Sequence, residues 1–157
     1  MLIQNIKSDS SFPEELEGEV FFPLFNKKIK VSEFTSDNIE YANECAKLLK
    51  ELNDEVIRHL CLASIRYCNA FLEADSEEQY SFDNERDVLA LIDPRFLLIE
   101  QDETRPAIHL ELECDWEQEH GMEWAIRDGK VVYVGSYNGV SPFDDFIEKD
   151  EWNFAQQ

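Results

Sequence analysis

The sequence predicts an α+β fold: a two-helix antiparallel hairpin packed on an antiparallel β-sheet, the sheet built from an N-terminal hairpin and a C-terminal meander. Three observations predict it. Apolar residues recur at three- and four-residue steps between Ala42 and Leu72. They alternate with polar residues from Ile108 to Cys114. Asp128-Gly129 stands between two apolar runs, which is the strongest short-range signal for a β-hairpin. Helices followed by a run of strands indicate α+β rather than alternating α/β. The chain has 157 residues, 43% of them hydrophobic, so one folded domain over 1–157 is expected.

Residues 1–17 are polar, and Pro13 would break a helix, so this segment is expected to be loosely ordered. Phe21, Phe22 and Phe25 crowd a first strand. Asn26-Lys27-Lys28 reads as its turn and Ile29 to Val31 as the return strand. Pro23 suggests an edge strand or a bulge. Asp37 and Glu40 have the spacing of a capping box, so a helix is expected from Asp37. Ala42, Cys45, Ala46, Leu49 and Leu52 form its apolar face. Asn53-Asp54 caps a second helix with a wider stripe: Val56, Ile57, Leu60, Cys61, Ile65, Cys68, Phe71 and Leu72. The short junction favours an antiparallel pair. Residues 73–87 read as an acidic, solvated connection. Val88 to Ile92 is a brief apolar stretch ended by Asp93-Pro94, and Phe96 to Ile99 reads as a strand.

The last half is β. Ile108, Leu110, Leu112 and Cys114 face the core, opposite His109, Glu111, Glu113 and Asp115. A two-residue turn at Asp128-Gly129 pairs Ile126 with Val131 and Trp124 with Tyr133 on one face, leaving Glu123, Ala125, Val132 and Val134 on the other. Trp116 and Trp124 are expected to anchor the sheet onto the helices. Glu119-His120-Gly121 is expected to form a tight connection between strands.

Charge is the largest anomaly. Thirty-five acidic residues stand against 14 basic ones, for a net charge of −21. Nucleic acid and anionic membranes are excluded as direct partners, because both are bound through basic surfaces. Two readings fit the acidity: solubility, or attraction to a basic protein. No apolar run approaches the roughly 18–20 residues of a membrane span. Met1-Leu2-Ile3-Gln4 lacks the start of a signal peptide, and the four cysteines form no C-x-x-C pair. A cytoplasmic protein with buried, reduced cysteines is expected.

Catalytic signatures are sparse. The five glycines are scattered, so there is no phosphate loop, and no G-x-S-x-G elbow occurs. No cofactor and no enzymatic activity are expected. Asp115, Glu119 and His120 are the residues on which a metal-dependent hydrolase would have to centre. Glu119 and His120 are adjacent, so a regular strand points them apart, and only a bulge would unite them.

The segment Cys114-Asp115-Trp116-Glu117-Gln118-Glu119-His120-Gly121-Met122, followed by Arg127-Asp128-Gly129-Lys130-Val131 and Val134-Gly135, resembles a group of uncharacterised bacterial domains. These carry a W-x-x-E-H-G-hydrophobic motif and then a hairpin ending in V-G. Members look like the immunity proteins of polymorphic or contact-dependent toxin systems. The resemblance implies a protein that neutralises a basic cognate toxin domain, such as a nuclease, and implies no catalytic residues. The expected contact surface is the run from Glu111 to Glu123, with Glu111, Glu113, Asp115, Glu117, Glu119 and Glu123 as charges and Trp116 as an aromatic anchor. No Lys or Arg interrupts it between Arg105 and Arg127. Simple solvation of a sheet face is the alternative for these acids. Nothing in the sequence specifies an oligomeric state.

Overall fold

The computed structural model describes residues 1–102 and 105–157. Seven strands form one sheet in chain order: β1 (Gln4–Ser8), β2 (Leu16–Phe22), β3 (Lys27–Phe34), β4 (Ile92–Leu98), β5 (Ala107–Cys114), β6 (Glu117–Arg127) and β7 (Lys130–Ser136). Two α-helices, α1 (Ile39–Lys50) and α2 (Asp54–Ala74), lie between β3 and β4. The fold is mixed α+β, as expected, but the sheet dominates it. Its strands are not all antiparallel. The helical crossover returns β4 parallel to β3, with Val31 beside Leu97, which fuses the N-terminal hairpin and the C-terminal meander into one sheet.

Residues 1–17 depart from the loose segment expected of them. β1 pairs with β2 as an edge strand, and Ile3 is buried. Pro23 starts a 3-10 turn inside the first hairpin, and Asn26 adopts the left-handed conformation that reverses the chain. Thr35 and Asn38, rather than Asp37 and Glu40, form the capping box, because a 3-10 turn precedes α1. Asn53 caps α2 by accepting from the Val56 N–H.

The expected helical hairpin is replaced by two helices seated on different strands. α1 packs on β5 and β2, and α2 packs on β7. Each stripe was wide enough to find sheet rather than a neighbouring helix. Ile65 and Phe71 are only half-buried, whereas Ser64 and Tyr67 of α2 are fully buried. Ser64 accepts a hydrogen bond from the Trp124 indole at 3.1 Å, and the Tyr67 hydroxyl meets Ser136 at 2.9 Å.

β4 starts at Ile92 and runs through Asp93-Pro94, earlier than the strand expected from Phe96 to Ile99. Pro94 tolerates this because β3 pairs only from Phe96 onward, and a bulge lies between Pro94 and Phe96. In the last hairpin Asp128 and Gly129 both have positive φ, as a type I′ turn requires. Ile126 opposes Val131, but a bulge then shifts the register. Trp124 opposes Val134, and Ala125 opposes Tyr133. Tyr133 therefore lies on the face of Glu123 and Ala125, away from Trp124.

The chain after β7 closes the molecule. Residues 137–148 cross the sheet face opposite the helices. The Asn138 N–H donates to Glu123 at 3.0 Å, and Phe146 lies against Tyr133. Asn153 then caps the free edge of β7, accepting from the Val134 N–H and donating to the Val132 carbonyl. Phe154 stacks on Tyr67, and His59 and Arg66 of α2 hold the Ala155 and Phe154 carbonyls. The aromatic tail thus docks on its own chain.

Candidate functional site

The run from Glu111 to Glu123 divides into an exposed end and an enclosed one. At the exposed end, Asp115 and Trp116 make a two-residue turn, with Cys114 opposite Glu117. The Asp115 N–H donates to the Leu91 carbonyl, which ties this turn to the segment leading into β4. Beyond it, β6 bulges widely: Leu112 opposes Met122, so residues 118–121 face a single residue of β5. Glu117 organises the bulge. It accepts from the Glu119 N–H at 3.0 Å, the His120 N–H at 3.3 Å and the His120 ring at 3.2 Å. Burial alone would raise the Glu117 pKa, but these bonds outweigh it and hold the carboxyl below its ordinary value. Gly121 ends the bulge at φ +73°, where an added Cβ would lie 2.6 Å from the Leu112 carbonyl oxygen.

This geometry turns Glu119 and His120 to solvent. Glu113 and Asp115 are also exposed. With Asp93 and Gln118 they rim a concavity of about 390 Å³ floored by Leu91 and Cys114. Arg95 bridges Asp93 at 3.2 Å and Glu113 at 3.5 Å, and Lys27 also pairs with Asp93. Asp115 and Glu119 have no basic partner among the described residues. Cys114 is no nucleophile here, because burial pushes its thiol up to about 12.

The enclosed end differs in every respect. Glu123 has no exposed surface. His109, 7% exposed, hydrogen-bonds to one Glu123 oxygen, and the Asn138 N–H holds the other. Glu111 sits directly opposite Glu123. Burial, then the charges of Glu123 and Glu33, raise the Glu111 pKa.

The seven residues expected to form one contact surface are therefore not together on it. Glu113, Asp115 and Glu119 are exposed, Glu111 is half-buried, and Glu117 is occupied within the bulge. Trp116 and Glu123 lie in the interior. Trp116 turns inward, edge-on to Tyr67 at 5.5 Å, and so serves the sheet–helix contact. It offers no aromatic anchor to a partner. Sequence reasoning missed Asp93, since Asp93-Pro94 read only as the end of a brief apolar stretch. It also missed the His109–Glu123 pair, which the alternation placed on a solvated face.

Among the described residues no group of three or more His, Cys, Asp or Glu side chains is arranged to hold a metal ion. The bulge does what a regular strand would not, yet His120 is engaged by Glu117 rather than by Asp115 and Glu119. No helix among the described residues is long and apolar enough to cross a membrane.

A family model described as "Domain of unknown function (DUF6985)" matches residues 2–141, which span every strand and both helices. No curated protein and no solved structure matches the chain.

Proposed function

The chain belongs to the DUF6985 family of domains of unknown function, and we propose that it is an acidic binding protein that neutralises a basic cognate toxin domain, as an immunity protein does. The observation that carries this reading is the rim of Asp93, Glu113 and Asp115, with Glu119 exposed in the adjoining bulge. Asp115 and Glu119 lack basic partners among the described residues, on a chain whose net charge is −21. Unpaired acids at one end of a strongly negative molecule are suited to steer a basic surface into contact. A toxin that cuts nucleic acid must itself present a cationic cleft. A rim of carboxylates around a shallow concavity would occupy that cleft and exclude its substrate. The four buried free thiols agree with a reducing compartment such as the cytoplasm, where such a toxin would act.

Co-expression with a candidate cognate toxin domain tests the proposal. Host cells are expected to survive the toxin only when this protein is present. Equal killing with and without it removes the immunity reading for that pair.

A further inference from the structure

Positive charge is scarce in this molecule, and most of it is consumed internally. Arg58, Arg86, Arg95 and Arg105 are paired with carboxylates, and Arg66 and Arg127 with backbone carbonyls. Lys7 and Lys27 are paired as well. Lys28, Lys30, Lys47, Lys50, Lys130 and Lys149 have no acidic partner among the described residues, and of these Lys28 and Lys30 line one concavity together. These two occupy consecutive outward positions of β3, and both are exposed. Glu19 lies opposite Lys30 in register but is engaged by Asn5. Aromatic rings flank both lysines. Phe21, 39% exposed, is directly opposite Lys28 on β2, and the Lys30 ammonium sits 6.0 Å over the Phe96 ring of β4. A concavity of about 450 Å³ is lined by Lys28, Lys30 and Phe96, with Glu19 opposite. Lys27 and Arg95 also line it but are paired with Asp93. Phe21 lies outside it, under the Lys50 ammonium.

We infer that this groove on the helix-free face of β2–β4 docks a short, carboxylate-rich polypeptide segment in extended conformation. Charge complementarity sets the sign of the occupant, and spacing sets its form. Lys28 and Lys30 are two residues apart on a strand, so their side chains emerge about 7 Å apart. An extended Glu-x-Glu segment presents its carboxylates at the same interval. Phe96 offers apolar surface to the methylenes between them. A long polyphosphate is disfavoured, because tight binding of that kind needs many cations and the surrounding surface is negative. The groove adjoins the acidic rim through Arg95, which pairs with Asp93 and Glu113, and its occupant does not depend on the toxin reading.

The test is fluorescence anisotropy with a labelled peptide of alternating Glu and Ser at low salt. A peptide of equal charge with its glutamates contiguous, and a short oligothymidylate, serve as comparisons. The alternating peptide is expected to bind saturably and to bind best of the three. Lys28→Ser with Lys30→Ser is expected to weaken it about five- to tenfold, and Lys28→Arg with Lys30→Arg to retain it. Circular dichroism and thermal melting verify that each variant folds. Absence of saturable binding, equal binding by the serine variant, or tighter binding of the oligothymidylate would each overturn the inference.

Discussion

Glu111 and Glu113 lie two residues apart on one strand, on the same side of it, and end in opposite surroundings. Around Glu111 the sheet face is roofed by the segment after β7, which brings Asn138 onto Glu123 and Phe146 onto Tyr133. Glu113 is exposed, and β6 bulges opposite it. One alternating pattern thus yields a buried polar cluster at one end and a solvated acidic rim at the other. The acids of this chain divide into those that hold the fold and those free to meet a partner, and the tail decides which is which.

The comparison is broken most sharply at Glu123. Glu123→Ala strands the His109 ring and the Asn138 N–H without their acceptor, and is expected to cost about 3 kcal/mol in chemical denaturation. A loss near zero would mean that the enclosed end is not structural. Gly121→Ala comes next, at about 2 kcal/mol, because it forces a side chain into positive φ against the Leu112 carbonyl. It is the one position at the exposed end expected to be sensitive. Asn153→Ala removes the bonds that close the β7 edge and is expected to cost about 1–2 kcal/mol.

Glu111→Gln should act in the opposite direction. A carboxyl whose native pKa lies above its unfolded value holds its proton more tightly when folded. It therefore costs stability as pH rises through that window and costs nothing in acid. The variant is expected to melt higher than the parent at neutral pH and equally with it below about pH 4. A variant that melts lower at neutral pH would refute the assignment. Glu117 has the reverse sign: its depressed pKa contributes stability above the unfolded value, lost as pH falls through the native one. Smallest of all, Glu119→Gln is expected to change stability by no more than about 0.5 kcal/mol.

Much of this was legible in the residues, and the exceptions share a cause. The meander β5–β6–β7 follows from the alternation around Leu110 and from Asp128-Gly129, because both are local. The bulge that moves Tyr133 to the other face is one inserted residue that no periodicity marks. The parallel pairing of Val31 with Leu97 joins residues separated by both helices, and their apolar pattern says nothing about direction. At the candidate site, Glu113, Asp115 and Glu119 were recognisable as surface acids. The burial of Glu123 was not, because the strap that covers it comes from a tail whose Phe146 and Asn153 gave no sign of where they dock. The sequence leaves two roles open for Trp116, anchor of sheet to helix and aromatic anchor for a partner, and its edge-on contact with Tyr67 of α2 fits the first.

The central claim is that the exposed rim meets a basic partner. The most direct measurement is the association rate with a candidate cognate toxin domain, taken across ionic strength. The parent is compared with the triple variant Glu113→Gln, Asp115→Asn, Glu119→Gln. The account predicts fast association that slows steeply with salt, a rate about tenfold lower for the variant at low salt, and convergence of the two at high salt. Absence of binding by the parent, or identical rates and salt slopes for two proteins that melt alike, would contradict it.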